Sequence, residues 1–254
     1  MKKYKLTNKS IIIDGRKLYR IEALIDFSDI EKGDKGGFIE SEDNLSQLND
    51  CWVASNAKVY GNAKVHDDAK VYGNSKVYGD AVIYGNAIVC GYAKVSGNAS
   101  VCGDTEIFDN AEVFDNADIF GNAKVYGSAK VFGNAVVSGR AQVHGFAQVF
   151  GSSIISDMTE VRSNARVWGN AIIRGKAEIY GNAEISNNSD YIVFKNWWSS
   201  GRYFTWTRSN NMWRVGCFFG TGEELIAKAY KDSELSGREY ERVVKYVESI
   251  LKEE

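Results

Sequence analysis

The chain has 254 residues with Lys+Arg 31 against Asp+Glu 33, a net charge of −2. This near balance excludes a binder held to nucleic acid by bulk charge, and equally an acidic mimic of DNA. No run of 18 apolar residues occurs, so no segment is expected to span a membrane.

The first residues, Met1-Lys2-Lys3-Tyr4-Lys5-Leu6-Thr7, lack the apolar centre of a secretory signal. Tyr4–Leu6, Ile11–Ile13 and Lys17–Ile21 read as short strands, with Asp14-Gly15 as a hairpin turn. They are expected to form an N-terminal β cap over residues 1–37 that covers an open strand edge. Residues 34–53 read as irregular first coils, because Leu45 and Cys51 occupy a small-residue slot while the positions that should lead them, Ser41 and Gln47, are polar.

From Val53 to Ser189 an aliphatic residue recurs at every sixth position. It leads 23 consecutive hexads through Val59, Val65 and Val71 to Ile173, Ile179 and Ile185. Four residues after each leader stands a small side chain, as in Ala57, Ala63, Ala69 and Ser75. A fixed short period with glycine in most units marks a solenoid and rules out an amphipathic helix. A β-branched leader suits a strand, so if Val59 points inward its neighbours Lys58 and Tyr60 point outward. Gly61-Asn62 then forms a corner, and Ala63 turns inward where only a small group fits. Three such sides close one coil of 18 residues. The coils stack at ~4.8 Å, so nearly eight of them make a prism roughly 36 Å tall.

After Ser189 the rhythm ends. Tyr191–Phe194, Arg202–Thr207 and Trp213–Phe219 read as strands. Thr221-Gly222-Glu223-Glu224 is a capping box that opens a helix to about Tyr230. Ser236-Gly237-Arg238-Glu239 opens a second helix, with Tyr240, Val243, Val244, Val247 and Leu251 on one face. The expected layout is an N-terminal β cap (1–37), a β-helix (38–189) and a C-terminal α+β cap (190–254). Two readings stand open for the tryptophans of the last unit. They fill its small core, or Trp206, Arg208, Trp213 and Arg214 line a binding site that stacks on a planar ligand.

These hexads resemble the hexapeptide-repeat left-handed parallel β-helix. The hand is implied by that resemblance and departs from the usual right-handed crossover. The block Gly36-Gly37-Phe38-Ile39-Glu40-Ser41-Glu42, Asn44-Leu45-Ser46 and Cys51-Trp52-Val53 is similar to a bacterial and phage group of hexapeptide-repeat proteins. Members of that group are commonly labelled acyltransferases or polymer-forming proteins, and the likeness covers roughly residues 16–190. Hexapeptide acyltransferases share a histidine on the coil, a loop inserted between hexads, and a trimer whose clefts hold the acyl carrier. Here the hexads run without insertion, and the two histidines, His66 and His144, stand 78 residues apart on different sides of the prism. Two histidines also fall short of the three-histidine zinc site of hexapeptide carbonic anhydrases. No catalytic residue, metal or cofactor is therefore expected.

The four cysteines (Cys51, Cys90, Cys102, Cys217) have no metal-binding spacing, and Cys90 and Cys102 fall on different sides and cannot pair. A reducing cytoplasm is their natural setting.

Sorting outward positions by side shows a surface signal. On the second side, led by Val59, the slot after the leader reads Tyr60, Tyr78, Ser96, Phe114, Phe132, Phe150, Trp168, Ser186. On the third, led by Val65, the slot before the leader reads Lys64, Val82, Ser100, Asp118, Val136, Ile154, Ile172. Both columns flank one edge of the prism and form an apolar ribbon, widened by Tyr84, Cys102 and Phe120. The first side reads as alternating charge: Lys70, Glu106, Lys124, Glu160, Arg162, Glu178. A ribbon of that size exceeds what monomers usually show to water. A ladder that merely stabilises the coils would explain it, and a self-association or partner interface explains it better. Mixed charge in the flanking column (Lys76, Lys94, Lys130 and Arg166 with Glu112 and Glu184) speaks against membrane contact. Outward threonine is too scarce for an ice-binding face. The expected function is a non-catalytic oligomeric scaffold, a dimer or trimer. As a phage or prophage accessory factor it would engage a host protein or small ligand. The alternative is a trimeric acyltransferase with His66 or His144 as general base.

Overall fold

The computed structural model describes residues 2–252. Strands β1 (Tyr4–Ile13) and β2 (Arg16–Ala23) form an antiparallel hairpin. Its turn residues Asp14 and Gly15 have φ of 51° and 76°, the pair of positive values that a two-residue hairpin turn favours. The two stretches expected as separate strands, Tyr4–Leu6 and Ile11–Ile13, join into one strand with an irregularity between Leu6 and Ser10. There the Lys9 amide donates to the Thr7 hydroxyl. That kink, with Lys5 and Lys9, blunts an edge strand that would otherwise invite pairing.

Strand β3 (Lys35–Ile39) runs antiparallel to β2 and parallel to the first full coil at Lys58–Val59. The hairpin thus extends the second side of the prism. At its foot the Lys3 ammonium is 2% exposed and donates to the carbonyls of Leu48, Asn49 and Cys51, which meet its buried charge. Asn44 is also buried and uses both ends of its amide. Its oxygen accepts from Glu40 and Ser41, and its nitrogen donates to Gly61 and Ala63 of the coil above.

Strands β4 to β26 are two-residue pieces at every sixth position, from Trp52–Val53 to Glu184–Ile185. Each below the last coil pairs in parallel with the strand 18 residues on, as Lys130 with Gln148 and Val131 with Val149. The result is a parallel β-solenoid of about eight three-sided coils, as expected. Among the described residues its sides are sheets of 8, 11 and 7 strands, the second including the hairpin. Leaders and small residues alike are at or near 0% exposure and form one continuous core. Their tight fit comes from the alternation of a branched side chain on each flat side with a methyl at each bend.

Below the last coil, hexads send backbone bonds to the coil above. From one hexad, Lys130 donates to Ala147, Phe132 to Val149 and Asn134 to Gly151, at 2.9, 3.0 and 2.7 Å. Where aspartate replaces glycine at a bend it has positive φ, as at Asp67, Asp109, Asp115 and Asp157. Each of these carboxylates accepts from the glycine amide one coil later, at Gly85, Gly127, Gly133 and Gly175. That bond recovers part of what the left-handed backbone costs.

The solenoid ends one slot earlier than the sequence suggests. Ser189 is exposed within a short 3-10 turn, Asn188–Asp190, instead of filling the tube. Its place over the last coil is taken by an antiparallel sheet of β27 (Tyr191–Lys195), β28 (Tyr203–Thr207), β29 (Met212–Val215) and β30 (Phe218–Gly220). The single strand expected over Trp213–Phe219 is two strands, because Gly216 takes φ 56° and turns the chain. This sheet satisfies the open top edge: Glu178 N–H donates to Thr205 Oγ1, Glu184 N–H to Ser209 Oγ, and Tyr191 Oη–H to the Ile172 carbonyl. Helix α1 (Gly222–Asp232) opens on the expected Thr221/Glu224 capping box. Helix α2 (Glu234–Lys252) begins earlier than Ser236, and Gly237 lies inside it because any side chain there would enter the Tyr230 ring.

Candidate interaction surface

The second side carries the expected stack of rings. Phe114–Phe132, Phe132–Phe150 and Phe150–Trp168 have centroids 4.8, 4.9 and 5.9 Å apart, within 11° of parallel. Tyr60–Tyr78 repeats the contact at 5.1 Å. Val136, Ile154 and Ile172 succeed one another in register across the corner. Val82 stands lower in that column, beside Ser100. Stacking leaves Tyr78, Val82, Phe114, Phe132, Val136, Phe150, Ile154, Trp168 and Ile172 half-buried, each showing an edge to solvent.

Tyr60 is the exception. At 4% exposure it lies beneath the N-terminal hairpin, against Leu18 and Phe38, with its hydroxyl on Asp14 at 3.0 Å. Burial and that carboxylate push its hydroxyl pKa up. Tyr60 therefore belongs to the cap's core, not to an outer interface. The flanking column is charged and paired: Lys94 and Lys130 both hold Glu112, at 2.8 and 2.9 Å, and Arg166 holds Glu184 at 3.3 Å. The two lysines keep the Glu112 carboxyl below its usual range. Arg166 also lies over Phe150 and Trp168.

The structure shows a second ladder on the first side, beside the alternating charge expected there. Its slot after the leader runs Tyr72, Cys90, Phe108, Tyr126, His144, Arg162, Tyr180. Phe108–Tyr126 and Tyr126–His144 stack at 4.8 and 4.5 Å, and Arg162 lies 4.6 Å from the Tyr180 ring. Arg162 follows its leader Val161 and so belongs to this ladder, not with the charged residues that precede the leaders. Taken slot by slot, the sequence of the first side carries this ladder. At its upper end His144 Nε2 meets Glu160 at 2.8 Å, and Arg214 of the C-terminal sheet meets Glu178 at 2.8 Å. Arg162 lies between the two carboxylates, its Nε 3.1 Å from Glu160 but poorly aligned, so that contact is an ion pair and not a directed hydrogen bond. The bond from His144, then the arginines, hold the Glu160 carboxyl below its usual range in spite of burial.

The four residues of the second candidate site are not gathered around an opening. Trp206 and Trp213 are each 2% exposed, paired across β28 and β29, with the Trp206 indole donating to Asn211. They fill the cap's core with Phe204, Leu225 and Val244, so a planar ligand has no access to either ring. Arg214 is committed to Glu178, and Arg208 lies beside Asp190, to whose carbonyl its backbone amide donates.

His66 and His144 sit on different sides, as their spacing requires. His66 is stacked on Tyr84 and lines a shallow cavity of about 710 Å³ with Arg16, Asp43 and Lys64. Among the described residues no cluster of three His, Cys, Asp or Glu side chains is disposed to hold a metal ion, and no helix is long and apolar enough to cross a membrane. A scan against models of known protein families finds no match, and no curated protein matches the sequence.

Proposed function

We propose that this chain is a non-catalytic, self-associating β-helical scaffold of the left-handed hexapeptide type, acting in a reducing cytoplasm. Two or three copies join along the edge between the second and third sides, which leaves the caps free to meet a host protein or small ligand. A phage or prophage accessory role fits the likeness of its first coils. The observation that carries the proposal is the run Phe114, Phe132, Phe150, Trp168 beside Val136, Ile154, Ile172, half-exposed on a tube whose core is already closed. Coil stability needs only the inner residues and the backbone ladder, so large apolar groups outside it are in excess of what folding requires. The column flanking the run carries both signs, Lys76, Lys94, Lys130 and Arg166 with Glu112 and Glu184, so a second copy can offer complementary charge. Hexads without an inserted loop support this reading over acyl transfer.

The mass of wild type and Phe132→Asp by light scattering tests it. Wild type should be a dimer or trimer. The variant should be monomeric, still folded, and less stable by about 2 kcal/mol from two lost ring contacts. A wild-type monomer, or a variant of unchanged mass, overturns the proposal.

A further inference from the structure

One coil breaks all three outward columns at once. The slots after the leader read Tyr72, Tyr78, Tyr84 on one coil, Cys90, Ser96, Cys102 on the next, and Phe108, Phe114, Phe120 on the one after. A small residue therefore separates two rings on every side. On the first and third sides a thiol stands in the gap, Cys90 following Tyr72 and Cys102 following Tyr84 in register. On the second side it is open. Val77, Val95 and Val113 pair in register, so Tyr78, Ser96 and Phe114 form one column with its middle ring missing.

The neighbouring rungs set the width of that gap. Rings on successive coils of this column sit 5.1 and 4.8 Å apart, tilted by 7° and 3°. Tyr78 and Phe114, two coils apart, are thus separated by roughly 10 Å, twice the strand spacing. One further flat ring would meet each at the distance the built rungs use. A cavity of about 310 Å³ occupies the place, with Ser96 as floor and Lys94, Glu112 and Asp115 at its rim. The hydroxyls of Tyr78 and Ser96 have no hydrogen-bond partner among the described residues. Glu112 is neutralised by its two lysines, whereas Asp115 spends one oxygen on the Gly133 amide and keeps the other.

We propose that this slot binds a small planar aromatic molecule, one or two fused rings with a hydrogen-bond donor on the edge. The ring stacks between Tyr78 and Phe114, and its donor reaches the Ser96 hydroxyl or the free Asp115 oxygen. An amino-substituted heteroaromatic ring meets both demands. Stacking supplies the attraction and the rim selects the edge.

The fluorescent base 2-aminopurine, quenched when it stacks, is the probe. Titration into wild type should give saturable quenching. Ser96→Ala, which keeps the slot open, should bind within about threefold of wild type. Ser96→Phe, which supplies the missing rung, should weaken binding by about tenfold or more while raising Tm by about 2 °C. Phe114→Ala removes the upper ring and should also weaken binding about tenfold, which covers the case in which Ser96→Phe fails to fold. No saturable quenching of wild type, or equal affinity in Ser96→Phe or in Phe114→Ala, overturns the proposal. Association is read separately: Phe150→Asp, two coils above Phe114 and stacked on Phe132 and Trp168 instead of on it, should change the mass while leaving the quenching intact.

Discussion

Val131→Asp should abolish cooperative folding. Val131 is fully buried, aligned between Val113 and Val149 in the inner column of the second side, with only aliphatic side chains and other coils' backbone around it. The substitution removes ~2 kcal/mol of aliphatic burial and places a carboxylate where no cation or free donor can reach it. Together these cost at least ~5 kcal/mol, comparable with the whole stability of many domains. Circular dichroism should show no wild-type melting transition, and the protein should be largely insoluble. The adjacent Phe132→Asp should melt cooperatively. A soluble Val131→Asp with a Tm within a few degrees of wild type would mean that the leaders do not line the tube.

The second large effect lies at the bends. Gly97 has φ 68°, and a Cβ on it would lie 2.7 Å from both the amide nitrogen and the carbonyl oxygen of Asp115, one coil on. Gly175 has φ 75° in the same kind of bend, with nothing within 4 Å. Gly175→Ala should therefore lose only the cost of a left-handed alanine, about 1 kcal/mol. Gly97→Ala should lose about 3 kcal/mol, since two coils must also part. Asp115 shows what makes a side chain tolerable at such a bend: its carboxylate takes the Gly133 amide, a compensation alanine lacks. Chemical denaturation of the two variants beside wild type measures the difference. Equal losses would show that backbone conformation alone, and not coil contact, demands glycine at Gly97.

The tube was legible in the sequence because it repeats. Each leader sees the same neighbours, so local pattern and tertiary contact coincide and no long-range inference is needed. Legibility failed where the repeat meets something that happens once. Tyr60 continues the outer column perfectly in sequence, and only the fold of the hairpin over it makes it core. Ser189 keeps the small-residue slot, yet the Asn187–Asp190 turn takes the chain off the prism first. Trp206 and Trp213 have the same composition whether they line a site or fill a core, and the partners that decide it, Leu225 and Val244, arrive from helices that nothing local ties to them. The first-side ladder was different: Phe108, Tyr126 and His144 were readable, and charge in the neighbouring slot obscured them.

Four native cysteines test the division between inner and outer positions without any substitution. Cys51 is fully buried in an inner slot, with Lys3 on its sulfur and burial pushing its thiol pKa up. Cys90 and Cys102 stand half-buried in outward slots, and Cys217 is exposed. Maleimide labelling of the native protein, located by peptide mass spectrometry, should modify Cys217 first, Cys90 and Cys102 more slowly, and Cys51 only after unfolding. Cys51 reacting at the rate of Cys217, or Cys90 and Cys102 as protected as Cys51, would contradict the assignment of residues beside the leaders to the outer surface.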